Sequence, residues 1–164
     1  MTKHSAGLLL FRRRDGEIEV LLAHPGGPFW RAKDAGAWSI PKGEYGQDEA
    51  ALSAARREFA EETGAAPPEG RMVALGEFAQ SKRKIVTAFA VEADFDPARL
   101  AGATVEIEWP PRSGHREAYP EIDRLAWFPI AEARARILAG QRGFLDRLAE
   151  KVSREPESPR RREA

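Results

Sequence analysis

A chain of 164 residues with 42% apolar and 32% charged residues reads as one globular domain with a sizeable core. Its 26 Lys and Arg balance 26 Asp and Glu, which argues against a protein whose main task is to coat nucleic acid. The absence of Cys excludes disulfides, thiolate metal sites and a thiol nucleophile; no apolar run spans a membrane and no secretory leader is recognisable, so a cytoplasmic protein is expected by default.

Ser5 to Arg12 is predicted as the first strand, and its apolar run Leu8, Leu9, Leu10 and Phe11 suits a buried position. Asp15-Gly16 signals a hairpin, with Ile18 to Ala23 as the returning strand. His24 to Trp30 is a loop of turn formers. Two readings exist for its aromatics, Phe29 and Trp30: they close the end of the core, or they offer a platform on which a nucleobase stacks. His24 reads as a strand-end residue rather than a ligand or base. Trp38-Ser39-Ile40 is a short strand that Pro41 ends, and Gly43 allows a tight turn into the next element. Lys42 is either a solvated lysine or a phosphate contact.

Residues 43–65, G-E-Y-G-Q-D-E-A-A-L-S-A-A-R-R-E-F-A-E-E-T-G-A, centre on a helix. Asp48 is the expected cap, Glu49 the acidic residue of the first turn, Ala50 to Ala60 the helix-forming run, and Thr63-Gly64 the stop. Leu52, Ala55 and Phe59 make an apolar stripe. Glu58, Glu61 and Glu62 share the adjoining face at i, i+3 and i+4, where like charges repel. Arg57 reaches Glu61 at i+4 but cannot neutralise three carboxylates. The cluster is either a solvated acidic patch or a site for a divalent cation, since hard cations take oxygen ligands.

The whole stretch fits G-x5-E-x7-R-E-U-x-E-E-x-G-U, with U apolar, through Gly43, Glu49, Arg57, Glu58, Phe59, Glu61, Glu62, Gly64 and Ala65. It resembles the box of the Nudix hydrolases, which cleave a nucleoside diphosphate linked to another group. Ala65 is smaller than the usual aliphatic residue. The approach W-x-x-P-K-G is similar to that of dinucleoside polyphosphate hydrolases in the same family. The resemblance implies a mixed sheet sandwiched between helices, with the box as a loop-helix-loop. It implies Mg²⁺, or Mn²⁺, held by Glu58, Glu61 and Glu62 with a backbone contact at Lys42 or Gly43. Arg57 is then expected to orient a carboxylate, and Glu49 to support the helix N-terminus or an outer metal water. The family's general base lies in the box or on a later loop.

Ala65 to Gly70 is a connector and Met72 to Phe78 a strand. Gln80 to Lys84, Q-S-K-R-K, is a solvated hairpin tip or a basic lip that attracts polyphosphate, with Lys84 the candidate contact. Ile85 to Glu92 is a strand rich in β-branched and aromatic residues, broken at Asp94-Phe95-Asp96-Pro97. Val105 to Trp109 alternates as a half-buried strand should. Pro110 to Pro120 is a long polar loop whose Arg112, His115, Arg116 and Tyr119 are candidates for substrate contact. Glu121 to Phe128 resumes strand character; Pro129 to Leu138 and Gly143 to Val152 are helices. Residues 153–164 lack core formers and are expected to form a disordered charged tail after a domain spanning 1–152. Among the later acids, Glu108, Glu117 and Glu121 are candidate bases, with Glu121 preferred.

The expectation is an α/β domain, a Nudix-type α/β/α sandwich with a mixed central sheet. Its expected activity is Mg²⁺-dependent hydrolysis of a nucleoside triphosphate or dinucleoside polyphosphate. A non-catalytic nucleotide-binding regulator and an RNA 5′-end pyrophosphohydrolase are the alternatives, and balanced charge disfavours RNA. The expected partner is a small nucleotide, with no membrane.

Overall fold

The computed structural model describes residues 1–153, so the expected tail, from residue 154 on, lies outside the described residues. β1 (Lys3–Arg14) is the centre of the molecule. Its successive side chains point to opposite faces of the sheet, and both faces are covered. Leu9 and Phe11 enter one core, and Ala6, Leu8 and Leu10 enter the other. The run Leu8–Phe11 is apolar on both faces for this reason.

The predicted hairpin forms at Asp15 (φ 52°) and Gly16 (φ 80°), the left-handed pair a tight two-residue turn demands. β2 (Glu17–Pro25) returns antiparallel to β1 and is paired on its far side by β8 (Ile122–Pro129). On the other side, β5 (Lys84–Glu92) runs parallel to β1, and β4 (Arg71–Ser81) is antiparallel to β5. The order β4-β5-β1-β2-β8, with β3 (Lys42–Glu44) also paired to β1, makes a six-stranded mixed sheet.

α1 (Ala51–Thr63) covers one face through Ala54, Ala55 and Phe59. Phe59 is sealed from solvent and meets Phe95 edge-on at 5.4 Å. The opposite face is covered by α2 (Ile130–Arg136) and α3 (Arg142–Ser153), which bury Ala133, Phe144, Leu145 and Leu148. Helices on both faces of a mixed sheet give the expected sandwich. Among the described residues no helix is long and apolar enough to cross a membrane.

Several local expectations are corrected. Asp48 does not cap α1: the N-cap is Ala50, without a side-chain hydrogen bond, and no acidic residue occupies the first turn. Glu49 lies just before the helix, where its carboxylate accepts two hydrogen bonds from Arg57. The stop does occur, with Gly64 left-handed at φ 74° and its N–H donating to Ala60 O. Lys42-Gly43-Glu44 is a strand on β1 rather than a tight turn. Trp38–Ile40 makes only isolated bridges, to Ala23 and Ile137. The segment 110–120 is not all loop. Its second half is β7 (Arg116–Pro120), paired with β6 (Thr104–Glu108) in a separate two-stranded sheet. Most of β6 is exposed, including Val105, so its alternation reflects a free-standing hairpin and not a half-buried strand. Ser153, placed in the tail by sequence, is the last residue of α3.

Phe59 is the main anchor of α1 on the sheet. Phe59→Ala should lower unfolding stability by about 3–5 kcal/mol, the usual cost of emptying a buried aromatic site. Urea titration of the metal-free protein checks this; a loss below about 1 kcal/mol would show that α1 is held by something else.

Candidate active site

α1 presents its acidic face towards β3 and the start of β8. Gly43 is the point of closest approach. A β-carbon there would fall inside the Glu58 carboxylate, so any larger residue would make that side chain shift. One turn on, the half-buried Glu62 carboxylate accepts the backbone N–H of Lys42 at 3.1 Å. Strand β3 is thus fastened to Glu62 and lies close against Glu58.

Arg57 holds the outer side of this face. Its Nε and Nη2 donate to Glu49 at 2.9 and 2.8 Å, and Nη1 donates to Glu58 Oε1 at 2.7 Å. The expected i,i+4 contact with Glu61 is present at 3.3 Å. Glu58 is only 13% exposed at its side chain, whereas Glu61 is 56% exposed. The hydrogen bonds from Arg57 hold the Glu49 carboxyl below its usual range. Glu58 is pushed the other way, chiefly by burial.

Glu121 reaches the same place from a distant part of the chain. Its N–H donates to Ala103 O and its carbonyl accepts Gly26 N–H, fixing it between the β6–β7 hairpin and β8. Its negative charge bears on both Glu62 and Glu58. Burial first, and the Glu121 charge second, push the Glu62 carboxyl up to about 8. Lys42 is shifted down to about 8, again chiefly by burial, and then by the neighbouring ammonium of Lys84. Two adjacent lysines and a group of carboxylates therefore share one partly dehydrated space.

That space is a cavity of about 330 Å³, lined by Trp30, Lys42, Glu62, Lys84 and Glu121 among others. These five candidates come from five separate segments of the chain. Trp30 is half-buried and Phe29 is 53% exposed, and neither belongs to either core. They meet edge-on at 5.0 Å, with Lys33 Nζ 3.5 Å above the Phe29 ring. The core-closing reading of these aromatics is thus corrected.

Other candidates lie elsewhere. Tyr119 does not line the cavity; its hydroxyl donates to Glu117 at 3.0 Å on the exposed hairpin. His115 also bonds Glu117, at 2.9 Å, while Arg116 pairs with Glu106. Glu108 accepts the N–H of Gly114 at the hairpin tip. Of the three later glutamates, only Glu121 faces the cavity. His24 is a buried strand residue, bonded to Asp123 at 2.8 Å and to Lys33 O at 2.6 Å. Sequence reasoning missed Ser39 and Gln80 in the cavity wall.

The donor set suits a hard divalent cation: carboxylate oxygens from one rigid helix face beside the carbonyls of β3. Burial, and after it the charge of Glu121, lets Glu62 keep a proton to unusually high pH, a penalty that a cation would relieve. Among the described residues no three acidic or imidazole groups are gathered into one closed metal cluster. Glu58 and Glu61 turn instead to Arg57.

Comparison with known proteins agrees with this geometry. The family model described as NUDIX domain matches residues 1–148. Comparison with curated proteins gives no match. An Ap4A hydrolase of C. elegans, solved as a binary complex, is similar over 94% of this chain and 100% of its own, with TM-score 0.62 and 19% identity. The NUDIX domain of Shewanella oneidensis NrtR, solved with ADP ribose, is similar over 93% and 89%, with TM-score 0.59 and 19% identity. RenU, a Nudix hydrolase of M. smegmatis, is similar over 96% and 89%, with TM-score 0.55 and 24% identity. These are likenesses of fold.

The Glu62 shift fixes a pH dependence. A group whose folded pKa is raised contributes stability that is full below its unfolded value, near 4.5, and is lost as pH rises through about 8. The metal-free protein should therefore lose more thermal stability between pH 5 and pH 8 than Glu62→Gln, which cannot ionise. Parallel melting curves for the two proteins across that range would contradict the assignment.

Proposed function

We propose a substrate class and a mechanism for a chain that belongs to the NUDIX family, its residues 1–148 matching the NUDIX domain. As a Nudix hydrolase it acts on phosphoric anhydride bonds, and the family is generally dependent on a divalent metal. The substrate proposed is a nucleoside triphosphate or a dinucleoside polyphosphate. One observation carries this reading. The cavity has an aromatic ring, Trp30, at one part of its wall, two adjacent lysines, Lys42 and Lys84, at another, and Glu62 with Glu121 beside them. A base that stacks, a chain of phosphates and a site of hydrolysis are the pieces such a wall accommodates.

Glu58, Glu61 and Glu62, with the carbonyls of Lys42 and Gly43, would hold Mg²⁺ or Mn²⁺, which when bound draws negative charge from the phosphate oxygens. The rest is the work of this chain's own residues. Arg57 fixes the Glu58 carboxylate and limits its motion. Lys42 and Lys84 bind the non-bridging oxygens and hold the polyphosphate in one pose. Trp30 receives the base. The Glu121 carboxylate takes a proton from the attacking water. The water oxygen bonds to phosphorus as the bridging P–O bond breaks, and the departing phosphate leaves with that bond's electron pair. Two phosphorylated products result.

A nucleotide-binding regulator is the second reading, favoured by the likeness in fold to NrtR, which has also been solved with a 27mer DNA. Turnover separates the two. Purified protein with Mg²⁺ should release phosphate or nucleotide from nucleoside triphosphates or dinucleoside polyphosphates in a panel that also holds nucleotide sugars and triphosphorylated RNA. Binding without release throughout the panel would favour the regulator.

Glu61→Gln and Glu62→Gln should keep the fold and lower turnover about a hundredfold or more, a loss of several kcal/mol of transition-state stabilisation. Wild-type rates in either variant would remove these residues from the metal site. Trp30→Ala should raise KM about five- to a hundredfold, the range expected for one lost base stack. An unchanged KM would return Trp30 to a structural role.

A further inference from the structure

Gln80 occupies a β-bulge. Its neighbours Ala79 and Ser81 pair with Ile85 and Lys84, and the register shifts between them. Bulges re-aim side chains, and this one turns Gln80 into the cavity wall beside Lys84. There its amide meets that of Gln141, which is 0% exposed and closes the 3₁₀ turn Ala139–Gln141.

The orientation of both amides follows from one backbone group. An amide oxygen and nitrogen are alike in shape, so their positions must be argued from their partners. The Ile40 N–H can only donate, and it donates to Gln141 at 3.0 Å; that atom is therefore the oxygen, Oε1. The Gln141 nitrogen must then face the other way. It donates to Ser39 Oγ at 3.0 Å and to Gln80 at 3.0 Å. A donor requires an acceptor, so Gln80 offers Oε1 inward. The Gln80 nitrogen is left pointing outward, with no acceptor for it among the described residues. Gly140 backs this arrangement, because a β-carbon there would stand 2.9 Å from the Gln80 Cα and carbonyl oxygen.

We propose that Gln80 is a phosphate-binding residue, its NH₂ group directed into the cavity by Gln141, which acts as a positioning residue. The ligand is a polyphosphate oxygen, not a base edge, because the nearest charged neighbour across the bulge is Lys84, whose ammonium lies beside that of Lys42. The lysines supply charge without direction. The amide supplies a directed donor, and hydrogen bonds from neutral donors to charged acceptors are among the stronger ones. The proposal rests on the polyphosphate reading of the cavity.

The test uses the full chain and inorganic tripolyphosphate with Mg²⁺, so that it does not depend on turnover. Gln80→Glu keeps the inward acceptor and the shape but places an acceptor where the donor was. It should weaken tripolyphosphate binding more than tenfold with the melting temperature nearly unchanged. Gln80→Met, which adds no charge, should weaken it about five- to tenfold. With a nucleotide substrate both should act on KM rather than on kcat.

Gln141→Glu removes the inward-facing donor and should turn the Gln80 amide round, matching Gln80→Met in affinity. The double variant Gln80→Met/Gln141→Glu should be no weaker than Gln80→Met alone. In the wild-type protein the Gln80 side-chain NH₂ resonances should shift on tripolyphosphate titration, while those of Gln141 stay fixed. Wild-type affinity in Gln80→Glu, unmoved Gln80 resonances, or a wild-type protein that binds no tripolyphosphate would each overturn the proposal. Additive losses in the double variant would overturn the role of Gln141. If Gln141→Glu does not fold, the Gln80 variants and the resonances decide the matter alone. Absence of nucleotide turnover with these results intact would count against the hydrolytic mechanism and not against Gln80.

Discussion

The acidic face of α1 depends on the guanidinium of Arg57. Its planar fork holds Glu49 with two N–H groups and Glu58 with a third, and it reaches Glu61 as well. Without it, carboxylates three and four residues apart would repel along an open helix face. A lysine could not replace it, because an ammonium is a compact charge and lacks the fixed fork that bridges separate carboxylates. Glu62 lies beyond its reach and is managed differently, by the Lys42 N–H and by keeping its proton. Arginine thus offsets part of the charge on this face, and the proton on Glu62 offsets another part.

Close approach is the second constraint. The Glu58 carboxylate keeps its place against β3 because position 43 carries no side chain. Phe59 presses α1 onto the sheet from one side of the helix, and Gly43 lets Glu58 through on another. The apolar stripe and the acidic face therefore belong to one positioning device. A change in helix packing is a change in the separation of the glutamates from the strand carbonyls.

Much of this was legible in the sequence, for physical reasons that differ by element. The β1–β2 hairpin announced itself because Asp-Gly is one of the few pairs that adopt two left-handed residues at low cost. α3 was legible because its burial is one-sided. The box fixed α1 and its carboxylates through spacing alone. Three kinds of feature were not legible. Asp48 looked like a cap, but the helix starts later, at Ala51, and the adjacent Glu49 pairs with Arg57 eight residues away. β7 was hidden in a polar segment, since a free-standing hairpin buries nothing and leaves no apolar period. Gln80 and Gln141 carried no signal at all. Their importance lies in which end of an amide faces which neighbour, and that is decided by a backbone N–H a hundred residues from Gln141.

The pairing of β1 and β2 with later strands has a consequence for how the chain matures on the ribosome. The first hairpin emerges early, carrying Leu8, Leu9, Leu10, Leu21 and Leu22, all of which end up sealed from water. Its flanking strands, β5 and β8, begin only at Lys84 and Ile122. At about 5–20 residues per second, the hairpin waits on the order of 5–20 s before β8 exists to cover its outer edge. During synthesis a greasy ribbon is therefore exposed with its β2 edge unpaired and its β1 edge covered at most by the short β3, a form prone to join another nascent chain.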